Sequence, residues 1–458
     1  MIHEHVSELI GDTPLLRIPA GVHGLTSVDV YAKLELRNPF GSVKDRIAWA
    51  MLRDDVDALA RDGRTVIESS SGNTAKALRG LTSTFGIPFR TVTNRIKVEE
   101  SRELLELLGA DVHELPGTSD CPDPNDPNDP FMIIQQEVEA SGGRLHHTSQ
   151  YTNERNVEAH HATGDEIVRD LGSVDYFVGG LGTTGSTRGV AERLRAANPD
   201  VEIVGVVAEP SDYIPGIRTA DEMYEVGLYE PEVYAGVEQV SSGQAIEMTM
   251  RLVRQAGLFA GPTSGASLHG AVAHLRELDR VATRRTTAVF IACDRLEGYL
   301  SYLRTRRPDL FGGQLDPDGF RAFDHSTAPV PALAPGDAER WIRERGALVV
   351  DTRGGLAFAT GHIAGSVNIT DEALEFLLDG GIPFSDRTPV LLACPVGMRS
   401  RRYAAYLAAR GVEAASLAGG MVAWRDAGLA LERSGSFERT GRASAAGSPA
   451  AGSVVVGG

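Results

Sequence analysis

Cysteine is nearly absent from this chain of 458 residues: Cys121, Cys293 and Cys394 are the only three. Thiols so few and so scattered build neither a disulfide framework nor a cysteine zinc site, and a reducing cytoplasm is the expected compartment. Lysine is scarce too. Lys33, Lys44, Lys76 and Lys97 are the only four among 45 basic residues, so arginine is the default cation and each lysine draws attention. Basic charge is outweighed by 62 acidic residues, which leaves −17 with histidine neutral. A surface that tracks phosphates needs a basic excess or a basic run, so docking on nucleic acid or on an anionic membrane is not expected, while a pocket for a small anion stays open. No apolar run approaches the ~20 residues that span a bilayer. The opening MIHEHVSELIGDTP carries His and Glu where a signal peptide needs a basic and then an apolar stretch. What is present, 42% hydrophobic and 23% charged residues, is a globular composition. The length predicts roughly two or three domains.

From about residue 28 to 312 short β-branched runs alternate with stretches of helical period. Val28–Lys33, Thr65–Glu68, Phe89–Thr93, Tyr176–Val178, Glu202–Ala208 and Thr287–Ala292 read as strands, an α/β pattern with a mostly parallel sheet. The run 313–336 is dense in Pro, Gly and Asp and reads as a linker. A second α/β unit starts near Asp337, with strands at Ala347–Asp351 and Val390–Cys394 and a helix after Arg399, and ends near Arg433. The tail 434–458, rich in Gly, Ala and Ser, is expected to be disordered, and CPDPNDPNDPF at 121–131 reads as a surface loop. The division expected is therefore 1–312, linker 313–336, second domain 337–433 and tail.

Four segments of the first domain can carry chemistry. In Asn38-Pro-Phe-Gly-Ser-Val-Lys-Asp-Arg46 a lysine follows a Pro/Gly turn and opens a helical stretch. Helix amides and Arg46 nearby would lower its proton affinity and make it a nucleophile, although an ordinary exposed lysine also fits the segment. Ser69-Ser-Ser-Gly-Asn-Thr74 lies between a strand and a helix and reads either as a carboxylate site or as a plain helix cap. Gly179-Gly-Leu-Gly-Thr-Thr-Gly-Ser-Thr187 follows a strand and precedes a helix, so its amides can cradle a phosphate, although such turns also serve close packing. Gly261-Pro-Thr-Ser-Gly-Ala266 offers hydroxyls to a ring nitrogen or a second anion.

In this order the motifs resemble the cysteine synthase and cystathionine β-synthase family of fold-type II pyridoxal-phosphate enzymes: IGDTPLLRI, NPFGSVKDR, SSGNT, GTTGS and GPTSGAS, over roughly residues 4 to 312. The resemblance implies a fold of two α/β subdomains with pyridoxal 5'-phosphate as cofactor. It implies that Lys44 forms the internal Schiff base, and that Ser70, Ser71, Gly72, Asn73 and Thr74 bind the substrate carboxylate and the cofactor's 3-hydroxyl. By the same resemblance Gly182, Thr183, Thr184, Gly185 and Ser186 hold the cofactor phosphate. Thr263 would bond the pyridine nitrogen, with Ser264 as the neighbouring candidate. A hydroxyl there leaves the ring nitrogen neutral, which favours elimination and replacement at the β-carbon over transamination. Gly216-Ile-Arg218 looks like a loop of O-phosphoserine-dependent cysteine synthases, which would make Arg218 a bidentate clamp for a phosphate leaving group; a solvated surface arginine is the plain alternative. Ala75-Lys76 departs from the family pattern, in which Gly and an aliphatic residue are common, and so does the 121–131 insertion.

In the second unit Cys394-Pro-Val-Gly-Met-Arg-Ser400 follows an apolar strand and leads into a helix, so Cys394 faces backbone amides and Arg399 that stabilise a thiolate or a persulfide anion. With VVDTR, GHIAGSVNI and LAGGMVAWRDAGL around it, residues 337–433 resemble a single-domain rhodanese. That resemblance makes Cys394 the sulfur-carrying nucleophile and Arg399 part of its anion cradle. Cys293 reads as core packing and Cys121 as a surface thiol. The pairs His146/His147 and His160/His161 point apart on a regular element, so no metal is expected.

The function expected is β-replacement on an activated serine, O-phosphoserine or O-acetylserine, to form cysteine or an analogue, with sulfur brought as a Cys394 persulfide. The alternatives are a 2,3-diaminopropionate-type synthase in which an amine attacks, similar in its GTTGS loop and QYTNERN segment, or a cysteine desulfhydrase feeding the rhodanese. The partners expected are a small amino-acid substrate, a sulfur donor and a second copy of the chain in a homodimer.

Overall fold

The computed structural model of the protein describes residues 2–93, 96–115, 129–210, 212–313, 319–320, 323, 330–385 and 387–433. Cys121, most of the Pro/Asp loop and the tail lie outside the described residues. The first α/β region holds a six-stranded sheet ordered β1 (Leu15–Arg17), β2 (Val28–Lys33), β10 (Thr286–Ile291), β7 (Tyr176–Gly180), β8 (Glu202–Ala208) and β9 (Gly236–Val240). Only β1 runs antiparallel. Beside it stands a four-stranded parallel sheet, β5 (Asp111–Glu114), β4 (Phe89–Thr93), β3 (Thr65–Glu68) and β6 (Leu145–His147). A third, all-parallel sheet is ordered β11 (Ala332–Leu333), β15 (Ala414–Leu417), β14 (Val390–Ala393), β12 (Leu348–Asp351) and β13 (Val367–Asn368). The α/β architecture and the two-subdomain first region agree with the reading of the sequence. Among the described residues no helix is long and apolar enough to cross a membrane.

The central strands read as continuous apolar runs because both of their faces are covered. In β8 every residue from Ile203 to Ala208 is buried, as a parallel strand between helix layers requires. The helix Pro262–Val281 starts with proline at its first position, where a missing N–H costs nothing. It packs closely on the helix Ser242–Ala256 because Gly265 has no side chain: a Cβ there would come within 2.2 Å of the Ala245 carbonyl oxygen. The third sheet's core takes in Phe320, which stacks on Tyr403 with ring centroids 5.2 Å apart. Residues just before the second unit thus contribute to its core.

A buried ionic cluster ties the first region together. Arg46 donates from Nε and Nη2 to Glu35 at 2.7 and 2.9 Å, and from Nη1 and Nη2 to Glu166 at 2.9 and 2.8 Å. Lys33 Nζ adds a contact to Glu166 at 2.6 Å. The same carboxylates accept from Thr13 Oγ1 at 2.7 Å and from the Asp12 and Thr13 amides at 3.0 and 3.3 Å. Burial opposes the charge on Glu166, but Arg46 and Lys33 win and hold its carboxyl down at about 2. Removing Arg46 would leave buried carboxylates uncompensated, a loss of about 3–5 kcal/mol. Arg46→Met is therefore expected to lower the urea-unfolding free energy of the first region by that amount, and a loss below about 1 kcal/mol would refute the role.

Candidate active site

The chemistry-bearing segments gather at the carboxyl ends of the parallel strands, where open α/β sheets place their ligand sites. After β2 the chain turns at Asn38, whose Nδ2 donates to the Glu35 and Ser42 carbonyls at 2.8 and 3.2 Å. Phe40 lies over Gly80, so closely that a Cβ there would come within 2.5 Å of its ring. Val43 N donates to the Cys293 carbonyl at 2.8 Å, which seats the turn against the end of β10. Lys44 then opens the helix Lys44–Leu52. Burial lowers its proton affinity, while Cys293 and Asp294 pull the other way. The sequence pointed to positive surroundings as the cause. The helix start is where the sequence put it, but Arg46 is spent on Glu35 and Glu166, and burial is the leading cause at Lys44.

The serine and asparagine loop follows β3. Buried Glu68 organises it, accepting from Ser69 N at 2.8 Å, Thr148 Oγ1 at 2.6 Å and Gln150 N at 3.1 Å. Ser70 Oγ accepts from the Gly72 and Ala75 amides, both at 3.3 Å, and so serves the start of the helix Asn73–Thr84. Thr74 Oγ1 donates to Gln150 Oε1 at 2.8 Å. Asn73 Nδ2 reaches Asp294 Oδ2 at 2.6 Å and the Tyr299 hydroxyl at 3.2 Å. Ser71 and Gly72 are half-buried beside them.

The glycine loop follows β7 and ends in the helix Gly185–Ala197, with Thr184 in left-handed backbone at φ 63°. Thr183 Oγ1 accepts from Asn156 Nδ2 at 3.1 Å, and the Thr184 hydroxyl and Asn156 Oδ1 are buried with no partner among the described residues. Close approach explains the glycines. A Cβ at Gly185 would stand 2.0 Å from Asn156 Oδ1, and one at Gly182 2.6 Å from the Gly216 carbonyl oxygen. Thr263 Oγ1, donating to the Pro215 carbonyl, lies within 3.2 Å of where a Cβ on Gly216 would sit. Ser264 Oγ instead accepts from Cys293 N at 3.0 Å. Arg218 rests 4.9 Å from the Tyr151 ring centroid and donates to the Glu222 carbonyl at 3.3 Å. Ser186 is half-buried in the first turn of the helix. His160 is fully buried and kept neutral by burial, with Arg46 and Lys44 adding to the effect. Its Nδ1 meets Thr163 Oγ1 at 3.1 Å.

Next to the third sheet Cys394 follows directly after β14, one residue beyond its end, and is fully buried. Its Sγ accepts from Gly397 N at 3.1 Å and Ser400 N at 3.4 Å, with Ser400 Oγ at 3.3 Å. Gly420 lets the neighbouring turn close on this loop: a Cβ there would meet the Cys394 carbonyl oxygen at 2.2 Å. Arg399 Nη1 pairs with Asp371 Oδ2 at 3.2 Å. Sequence reasoning missed Asp371, Asn156, Asp294 and Tyr299, and it read Cys293 as core alone, whereas its thiol also stands in the field of Lys44. Asn156 could have been found, since it closes the QYTNERN segment already noted.

Residues 6–294 match the family model for pyridoxal-phosphate dependent enzymes, and residues 334–427 that for rhodanese-like domains. Cysteine synthase B of Pseudomonas aeruginosa is 34% identical over 305 residues, 65% of this chain and 95% of its own length. The crystal structure of a cysteine synthase from Entamoeba histolytica is similar with a TM-score of 0.59 at 26% identity, covering 70% of this chain and 94% of that one. An O-acetylserine dependent cystathionine β-synthase from Helicobacter pylori gives 0.56 at 26%, covering 66% and 98%.

The residues present fit pyridoxal phosphate. Lys44 is half-buried at a turn seated against Cys293 and Asp294, and the Thr184 hydroxyl, buried with no partner among the described residues, lies in a glycine turn at a helix start, as a phosphate site needs. Lys44→Ala is expected to abolish any borohydride-reducible link between protein and cofactor. Such a link surviving in the variant would reassign the lysine.

Proposed function

The chain belongs to the pyridoxal-phosphate dependent enzyme family and carries a rhodanese-like domain, and from that premise we propose that it builds cysteine, or an analogue, by sulfur replacement on an O-activated serine. The observation that carries the reading is the joining, in one chain, of a half-buried lysine at the head of a helix in a cysteine synthase-like domain to a cysteine whose sulfur accepts from loop amides. The bound cofactor supplies the electron sink for deprotonation at Cα. Lys44 Nζ takes the α-proton and later returns it, Ser71, Asn73 and Thr74 grip the carboxylate, and Thr183 to Ser186 with Asn156 hold the phosphate. The leaving group departs from Cβ with its bonding pair, and a sulfur nucleophile takes its place.

For the leaving group, the Helicobacter pylori relative is named for O-acetylserine. The cation at Arg218, beside the glycine loop through its backbone bond to the Leu181 carbonyl at 2.9 Å, speaks for a phosphate. A charge-assisted bidentate contact contributes about 1.5–3 kcal/mol, roughly ten- to hundredfold in kcat/KM. Arg218→Ala is expected to depress turnover of O-phosphoserine by that factor while sparing O-acetylserine. Equal losses for the two donors would remove Arg218 as the selector.

Sulfur arrives as the outer atom of a Cys394 persulfide. The Cys394 thiolate takes that atom from thiosulfate as its S–S bond breaks and sulfite leaves; two molecules of a small thiol then reduce the persulfide, joining as their disulfide, and release hydrosulfide while Cys394 returns to the thiol. Covalent joining raises the local concentration of that product, and short tethers reach roughly millimolar values. The homodimer and the cytoplasmic setting belong to this reading. Cys394→Ser should keep cysteine formation from free sulfide and lose it from thiosulfate plus thiol. If both variant and parent use thiosulfate equally, the relay is wrong and amine attack or desulfuration becomes the better account.

A further inference from the structure

Beside the serine and asparagine loop lies a cavity of about 620 Å³, within the range of small-molecule sites, that is lined by none of the residues assigned to the cleft. Past the end of β6 the chain alternates. Thr148 Oγ1 donates to Glu68 and Gln150 Oε1 accepts from Thr74, so these two serve the loop, whereas His147, Ser149 and Tyr151 line the cavity. Ser149 is in left-handed backbone at φ 56°, a strained state for a residue other than glycine, and its Oγ lies 2.6 Å from Thr152 Oγ1. The helix Pro130–Ala140 supplies Phe131 and Met132 to the lining, and the turn Ala220–Glu225 supplies Tyr224.

The lining combines aromatic rings with negative charge. Phe131 stands edge-on to Tyr151, with ring centroids 5.1 Å apart and planes at 88°. Met132 and Tyr224 are 48% and 60% exposed, apolar surface that a bound apolar body would take out of water. Asp129 and Glu139 supply the carboxylates, and no lysine or arginine is among the described lining residues. Asp129 Oδ1 accepts from the Phe131 and Met132 amides at 2.8 and 3.2 Å, and Glu139 Oε1 from Gln135 Nε2 at 3.0 Å. These donors are neutral, so the negative charge is not cancelled among the described residues. His147 turns its buried Nε2 to within 3.7 Å of Glu68. Ring faces and uncancelled carboxylates attract an organic cation and repel an anion. We propose that this cavity binds an organic ammonium with an aromatic or apolar body, a ligand apart from both the cofactor and the anionic amino-acid substrate. Tyr151 joins the site to the cleft, because the Arg218 guanidinium lies over its ring at 4.9 Å and its carbonyl accepts from Leu228 N at 3.1 Å. The inference holds whichever leaving group or nucleophile the cleft uses.

The test uses the full-length holoenzyme and two probes of similar size and opposite charge, benzyltrimethylammonium and 3-phenylpropionate, with binding read by equilibrium dialysis. A quaternary ammonium cannot condense with the cofactor aldehyde, so its binding reports the cavity and not the reaction. The ammonium is expected to bind once per chain with Kd on the order of 1 mM or tighter, and the carboxylate at least about tenfold more weakly. Tyr224→Ala, which removes one ring, and Met132→Trp, which fills the space, are each expected to weaken the ammonium by about tenfold while the cofactor absorbance stays that of the parent. Glu139→Gln, a size-matched exchange on an exposed helix face, is expected to narrow the preference for the ammonium over the carboxylate by roughly threefold. No measurable binding of the ammonium, equal binding of the two probes, or parent-like affinity in both the Tyr224 and the Met132 variants would overturn the proposal.

Discussion

The position of the lysine depends on one guanidinium. Arg46 stands two residues after Lys44, and its fork is divided between Glu35, just past β2, and Glu166, on the helix His161–Leu171. Those carboxylates also hold the Asp12 and Thr13 amides and Lys33. Segments far apart in the chain therefore agree on one register before the turn Asn38–Val43 can present Lys44. An apolar patch of the same area would stabilise as well or better, but it would tolerate small slides, whereas bidentate pairs are directional. For a helix that must point its first side chain at a fixed spot, direction matters more than net free energy.

Both reactive centres use one backbone device, a parallel strand ending in a glycine-rich turn that opens a helix. They use it differently. In the first region Thr184 is left-handed, its buried hydroxyl has no partner among the described residues, and glycines at 182 and 185 let the Gly216 carbonyl and Asn156 close on the turn. Around Cys394 the turn is already filled, because the Gly397 and Ser400 amides point at the sulfur itself, and Gly397 and Gly420 are both at positive φ where the loop and its neighbour touch. An unused hydroxyl at a helix start suits an anion that arrives with a cofactor, and a filled ring of amides suits an anion carried by the protein's own side chain.

Local order explains what could be read in advance. The strands Val28–Lys33, Thr65–Glu68, Phe89–Thr93 and Glu202–Ala208 were legible to the residue because their apolar runs stop at polar or glycine turns. The four loops were legible because each is contiguous: a lysine after NPFGSV, a hydroxyl run, a glycine run and a cysteine in a strand-to-helix turn all announce their chemistry within nine residues. What could not be read were the partners that make those loops work. Asp294 reaches Asn73 across 221 positions, Glu166 reaches Arg46 across 120, and Asp371 reaches Arg399 across 28, and none belongs to a run with a period or composition of its own. Ionised and amide side chains of this kind are placed by the tertiary fold, since burial makes each demand a partner and the fold decides which group is near enough to answer. The correction at Lys44 has the same origin. Sequence neighbours suggested that cations tune the amine, whereas the cation next to it is paired elsewhere, and burial lowers its proton affinity. Pattern in the chain therefore specifies where a reactive group stands, and the groups that set its reactivity follow from closure of the core around it.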